Sequence, residues 1–149
     1  MGVPYEIPPM AGIAVDGVPH VEVIDWPHRS RITKIIVTQT TGVLEAFTVA
    51  LYNHPQVDGG EQTSDSLGDE VGAIPDDHYR VTNDLVASAG GKLIYLAEDE
   101  GGAGFGFFSQ KAKDGRQGQR DSKLYVKITP TGGGSKKFAI TIGGEKEVE

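Results

Sequence analysis

The chain has 149 residues and a formal net charge of −7, and it contains no cysteine. This length fits one domain with a substantial core. The lack of cysteine excludes disulfide bonds, thiolate zinc sites and cysteine nucleophiles. The negative charge disfavours duplex nucleic acid as a partner.

The first 19 residues contain four prolines, Pro4, Pro8, Pro9 and Pro19, a density that forbids helix. We expect residues 1–19 to form an extended arm that lies along its own domain or along a neighbouring subunit. The apolar residues of this arm that are candidates for an assembly interface are Tyr5, Ile7, Met10 and Ile13. Deleting residues 1–15 is then expected to abolish assembly and to leave the domain folded.

The amino terminus lacks the basic and apolar stretches of a secretory signal. No apolar run approaches the roughly 20 residues that span a bilayer, so no membrane partner is expected. These features predict a complete, soluble chain made in the cytoplasm.

The rest of the chain predicts β-strands separated by turns. Alternating or β-branched runs favour strands at residues 21–24, 32–39, 45–53, 85–89, 92–97, 105–108, 123–129 and 137–142. Gly90-Gly91 predicts a tight hairpin, and the glycine-rich connection at 130–135 predicts a closing hairpin. Together they predict an all-β fold, an antiparallel β-sandwich of jelly-roll type over residues 20–143, followed by a charged tail at 144–149.

Charge is unevenly distributed along the chain. Residues 54–79 hold seven acids and no lysine or arginine, whereas residues 111–137 hold eight bases and two acids. Stretches of this kind are usually solvated loops. Taken together, they also predict a subunit that meets a copy of itself or a charged partner in a fixed orientation.

Oxygen ligands for calcium are present in the acidic segment, at Asp58, Glu61, Asp65 and Asp69. Their spacing does not match an EF-hand loop, so a solvated loop is favoured and calcium binding stays an open alternative. The four histidines are His20, His28, His54 and His78, and no pair has the spacing of a helical zinc site. His54 and His78 flank the acidic segment, where a His–carboxylate metal site is the alternative to surface histidines.

Signals for catalysis are weak. The glycines at 102–106 are not followed by a helix or by a Lys-Ser/Thr pair, so a turn is favoured over a phosphate-binding loop. No Gly-x-Ser-x-Gly elbow is present. Trp26 is interpreted as a core or interface residue rather than as a sugar-stacking platform. The sequence therefore predicts a protein that is not an enzyme and has no cofactor.

The order of these features resembles small virion proteins of tailed bacteriophages, particularly the capsid decoration (cement) type. The resemblance rests on the proline-rich arm, the run at 47–53, and the ending at 123–130 with its final strand at 138–142. It implies a virion subunit that binds the major capsid protein or other virion proteins, and copies of itself, with no catalytic residue to carry over. The acidic segment at 54–78 has no counterpart in the family pattern.

The same ending is similar to the closing strands of secreted jelly-roll modules and of carbohydrate-binding modules. Those modules travel with an enzyme through a secretion route, and this chain shows no signal for one. The first expectation is therefore a non-enzymatic structural protein that binds the capsid surface in many copies and stabilises the particle. A carbohydrate- or calcium-binding β-sandwich module is the alternative.

Overall fold

The computed structural model describes residues 2–27, 29–53, 61–62, 72–73, 81–87, 90–108 and 123–147. Twelve strands are present in these residues: β1 (Gly2–Glu6), β2 (Met10–Asp16), β3 (His20–Asp25), β4 (Arg29–Thr41), β5 (Phe47–Tyr52), β6 (Glu61–Gln62), β7 (Gly72–Ala73), β8 (Leu85–Val86), β9 (Lys92–Leu96), β10 (Phe105–Phe108), β11 (Lys123–Pro130) and β12 (Ser135–Glu147). One 3-10 turn, Ala97–Glu100, lies between β9 and β10. β6 and β7 pair only with each other in this set.

The larger sheet is built around two strands of 13 residues each, β4 and β12, which pair antiparallel. β2 pairs with the first part of β12 and β1 with its last part. In the same way, β10 pairs with the first part of β4 and β9 with a later part. This six-stranded sheet is therefore four strands wide, and each outer position is filled by two shorter strands.

The smaller sheet has the order β3-β11-β5-β8, with antiparallel pairing throughout. β11 pairs on both sides, whereas β8 contributes only two residues. The two sheets pack face to face, so the predicted all-β, antiparallel β-sandwich is confirmed.

One hydrophobic core fills the space between the sheets, and both sheets contribute to it. The alternating faces that period two predicts for the best strands are confirmed: Phe47, Val49, Leu51, Leu124, Val126, Ile128, Phe138, Ile140 and Ile142 are all buried. Phe47 from the smaller sheet meets Phe138 from the larger one edge to face, with ring centroids 4.9 Å apart. Aromatic contacts of this kind fix how the two layers face each other.

Both predicted hairpins are wrong. β11 lies in the smaller sheet and β12 in the larger one, so the connection between them crosses from one layer to the other. β8 and β9 are likewise in different sheets. A glycine-rich turn suits a hairpin within one sheet and a crossing between two sheets equally well. Here the strands before and after each turn lie in opposite sheets, and their apolar faces enter the shared core from opposite sides.

The predicted arm at 1–19 lies along its own domain over residues 2–16. β1 pairs with residues 143–147, and β2 pairs with residues 135–140. Ile7 and Ile13 are only 5% and 6% exposed, and Val15 is fully buried. The amino-terminal residues are therefore part of the sandwich rather than a separate extension.

The predicted charged tail at 144–149 is wrong over residues 144–147, because β12 continues to Glu147. Gly144 makes this extension possible: a Cβ there would lie 1.9 Å from the carbonyl oxygen of Arg31 on β4. The register of β12 on β4 shifts between Gly143 and Gly144, which marks a β-bulge. Residues 145–147 beyond the bulge are all charged. Because apolar and polar side chains do not alternate there, hydrophobic periodicity did not predict a strand.

Candidate functional site

The four residues proposed for an assembly interface do not form a free surface. Ile7 and Ile13 belong to the core of this chain, and Met10 packs against that core. Tyr5 is half-buried and meets Trp26 edge to face, with centroids 5.2 Å apart. Ile7 and Ile13 are therefore buried within this chain, whereas Tyr5 and Met10 are partly accessible.

Trp26 is a core residue, which confirms one of the two positions expected for it. Its side chain is 2% exposed. Its indole N–H donates a hydrogen bond of 2.7 Å to the Ser30 hydroxyl. A tryptophan held in this way has no open face on which a sugar ring can stack.

Most of the candidate metal ligands lie outside the described residues. These are His28, His54, His78, Asp58, Asp65, Asp69 and the side chain of Glu61. His20 is described, and its Nε2 lies 3.0 Å from Glu22 Oε1. Within the described ranges, no three His, Asp or Glu side chains come together as a metal site.

The positively charged segment is described only in its second half. Lys111, Lys113, Arg116 and Arg120 lie outside the described residues. Lys123 and Lys127 lie on β11, and Lys136 and Lys137 lie at the start of β12. Lys123 pairs with Asp25 across the β3–β11 ladder.

The glycines at 102–106 lead into a strand. Gly104 has a φ of +68°, and a Cβ there would lie 2.5 Å from the carbonyl oxygen of Ile32. β10 begins at the next residue and pairs with β4. The element that directly follows these glycines is thus a strand, whereas a phosphate-binding loop is followed by a helix.

A shallow open groove of about 390 Å³ crosses β1, β12 and β4 where β12 carries Gly143 and Gly144. Glu6 and Lys34 form its charged wall, with Oε1 and Nζ 2.5 Å apart. A Cβ at Gly143 would lie 3.3 Å from Cε of Lys34. The groove thus exists because Gly143 and Gly144 have no side chains to fill it. The opposite charges of Glu6 and Lys34 in its wall neutralise each other.

Four connections cross between the sheets at one end of the sandwich, and we call this end the crossing end: residues 17–19, 42–46, 90–91 and 131–134. Strand pairing brings them together, since Ser135 pairs with Asp16 and Lys137 with Thr41. The Gln39 N–H donates to the Gly91 carbonyl at 2.8 Å. Short crossings of this kind hold a loop surface in one shape.

A buried ammonium group ties two of these connections together. The side chain of Lys136 is 5% exposed, and its Nζ lies 3.1 Å from the carbonyl oxygen of Gly133 and 3.3 Å from that of Gly132. Nζ is also 3.3 Å from Glu45 Oε2, an atom that is buried and accepts no hydrogen bond of regular geometry. The contact with Glu45 is therefore an ion pair, and three oxygens surround the three donors of the lysine.

Gln39 extends this cluster to the connection at 42–46. Its buried side chain donates to the carbonyl oxygens of Thr41 and Val43 at 2.9 and 2.7 Å. Its Oε1 accepts the backbone N–H of Glu45 at 3.3 Å. Gln39 thus fixes the backbone on both sides of the loop tip.

Apolar side chains project from two of the connections at the crossing end, those at 17–19 and 42–46, and the cluster holds the second of them. Val18 is 64% exposed, Val43 is 75% exposed and Leu44 is 54% exposed. They are three of the seven exposed large apolar side chains in the described residues. Apolar residues gathered on adjoining, pinned loops are typical of a protein–protein contact. The crossing end is therefore the strongest candidate site that the described residues offer.

The sequence pattern did not predict that Gln39, Glu45 and Lys136 form a group. Lys136 was counted only as one base in a positively charged segment. Its alternation with Phe138, Ile140 and Ile142 places it on the inward face, and Gln39 follows Ile35 and Val37 in the same way. Extending each apolar alternation by one step places both side chains on the inward face, but it does not show which groups they contact.

Among the described residues there is no helix long and apolar enough to cross a membrane. A comparison with protein-family models finds no match to this chain. A comparison with curated protein sequences also finds none.

Proposed function

We propose that this chain is a non-enzymatic structural protein of a phage virion that attaches to the capsid surface in many copies through its crossing end. Its partner is the major capsid protein or another virion protein. The observation that carries the proposal is the set of exposed residues Val18, Val43 and Leu44 at the crossing end. Val43 and Leu44 lie on a loop that Lys136, Glu45 and Gln39 hold in place.

Rigidity of these loops favours binding. A surface that is already ordered loses little conformational entropy when it is covered. Burial of apolar side chains contributes roughly 25 cal/mol per Å². A small contact of this kind becomes strong when many copies bind a repetitive lattice and also contact one another.

The strand order supports a jelly roll, the fold expected for such a subunit. Counting β1 with β2 as one strand and β9 with β10 as another, and leaving out β6 and β7, gives eight strands. Their order is 1-8-3-6 in one sheet and 2-7-4-5 in the other. Eight strands in two sheets with repeated crossings are typical of jelly rolls.

The assignment of the interface differs from the one that the sequence suggested. The amino-terminal residues pair within the sheet of this chain. We therefore assign the arm to the stability of the domain and the assembly contacts to the crossing end. The charged segments at 54–79 and 111–122 lie outside the described residues except at 61–62 and 72–73, and they stay the proposed means of orientation.

Sedimentation tests this proposal. A lysate from the native source is run through a density gradient, and the chain is followed with an antibody. We expect it to run with particles far larger than a single chain and to be released by salt or dilution. A chain that stays at the top of the gradient contradicts the proposal. A rise in melting temperature with calcium or a glycan in place of particle binding would favour the alternative module.

A further inference from the structure

The outer strand β3 differs from the other edges of the two sheets. The β1–β2 edge is interrupted by Pro8 and Pro9, and β1 itself contains Pro4. The β9–β10 edge is interrupted by the 3-10 turn, and β8 has only two residues. Prolines, short strands and interruptions are the devices by which proteins prevent their edges from pairing with other chains.

β3 is neither interrupted nor shortened, and of the protective devices it carries only charged side chains, at Glu22 and Asp25. It runs for six residues, His20–Asp25, and contains no proline or glycine. Among the described strands it has one neighbour in its sheet, β11, with an unbroken register. Val23 lies opposite Tyr125 on the outer face of the sheet and is 48% exposed. A β-branched edge of this length is suited to receive another extended strand.

We infer that β3 pairs antiparallel with β3 of a second copy of this chain, joining two four-stranded sheets into one across a two-fold axis centred on Val23. The inference concerns a surface distinct from the crossing end and does not depend on the proposed capsid partner.

Charge and overlap select this register. Residues opposite each other in an antiparallel pair point to the same face. If both cores lie on the same side of the joined sheet, inward-facing residues must oppose inward-facing residues. The two-fold axis must then pass through a residue and its copy, and not between two residues. Centring on Val23 pairs all of residues 21–25, opposing Glu22 to Ile24 and Val21 to Asp25. No like charges lie directly opposite each other in this register, and the two Glu22 residues are diagonal neighbours.

The alternative registers are worse. Centring on Glu22 sets two carboxylates directly opposite each other, which is destabilising. Centring on Val21 or on Ile24 leaves only three residues of each strand in register. The register on Val23 is thus the longest one in which no like charges lie directly opposite each other, and it also covers the most exposed apolar side chain of the strand.

Single-cysteine cross-linking tests the inference directly, because the natural chain has no cysteine. Directly opposite residues in an antiparallel pair have Cα atoms about 4.5–5.5 Å apart, which a disulfide spans. Under a mild oxidant, Val23→Cys is expected to form a covalent dimer at least about tenfold faster than Val86→Cys. Val86 is the matched control, because it is an exposed valine on the opposite edge of the same sheet.

Equal cross-linking rates for the two variants, or no dimer from Val23→Cys, would overturn the inference. If β3 pairs with a different protein instead, the pure chain also gives this negative result.

A second measurement uses the cysteine-free protein. Sedimentation equilibrium at increasing concentration should show dimers that Val23→Lys removes and Val86→Lys keeps. Dimers that persist in Val23→Lys would place the contact elsewhere.

Discussion

The ammonium of Lys136 and the carboxylate of Glu45 face each other at 3.3 Å across the crossing end. One residue opens β12, and the other lies in the connection between β4 and β5. The connections at 42–46 and 131–134 are far apart in the chain, and the strands bring them side by side. This ion pair helps to tie the two connections together. The exposed residues Val43 and Leu44 lie next to Glu45 and share its fixed backbone.

Replacing Lys136 with methionine is expected to lower the free energy of unfolding by about 3 kcal/mol, because the carbonyl oxygens and the carboxylate lose their common donor. Chemical denaturation followed by circular dichroism measures this loss. The control is Lys137→Met, since Lys137 is the next residue and is exposed. The control should change stability by less than about 0.5 kcal/mol. Equal effects of the two variants would contradict the role given to Lys136.

Gly144→Ala is expected to destabilise the domain by about 3 kcal/mol or more, because its Cβ would overlap the carbonyl oxygen of Arg31. Gly106→Ala on β10 is the matched variant, since a Cβ at Gly106 has no atom within 4 Å. Thermal unfolding of both proteins makes the comparison. A normal melting temperature for Gly144→Ala would show that β12 does not approach β4 at this point.

Ile13→Ala is expected to cost about 3 kcal/mol, because it leaves a cavity in the core. Val3→Ala, on an exposed position of β1, should cost much less. For the same reason, deletion of residues 1–15 should unfold or strongly destabilise the domain, as measured by denaturation. A truncated protein of normal stability would contradict this prediction and would support the separate amino-terminal arm that the sequence suggested.

Trp26 is the one tryptophan of the chain, so its fluorescence reports a single site. Its burial against Tyr5 predicts blue-shifted emission and weak quenching by acrylamide in the folded protein. Oligosaccharides should leave the emission unchanged, because the indole has no open face. Saturable quenching by a sugar would instead favour the carbohydrate-binding alternative.

The sandwich could be predicted because strands such as β5 and β11 alternate cleanly, and their apolar faces form the core. Which strands are neighbours could not be predicted. Alternation shows that Leu124 and Phe138 point inward, but it is the same whether β11 and β12 pair in one sheet or face each other across the core.

The candidate site was still less accessible from the sequence. Gln39 and Lys136 acquire their role only when the crossings bring distant residues together, and a polar residue at the end of an apolar alternation is usually exposed. Likewise, the proline-rich start was interpreted as an arm because prolines break hydrogen-bond ladders. Outer strands tolerate them, as β1 does at Pro4.

The most direct measurement compares particle binding by Leu44→Asp and Ile94→Asp in the density gradient. Both residues are exposed and apolar, but Leu44 lies in a connection of the crossing end and Ile94 lies within strand β9. Both variants should fold, which circular dichroism checks first. We predict that Leu44→Asp stays at the top of the gradient, while Ile94→Asp sediments with particles like the natural protein. Normal sedimentation of Leu44→Asp would contradict attachment through the crossing end.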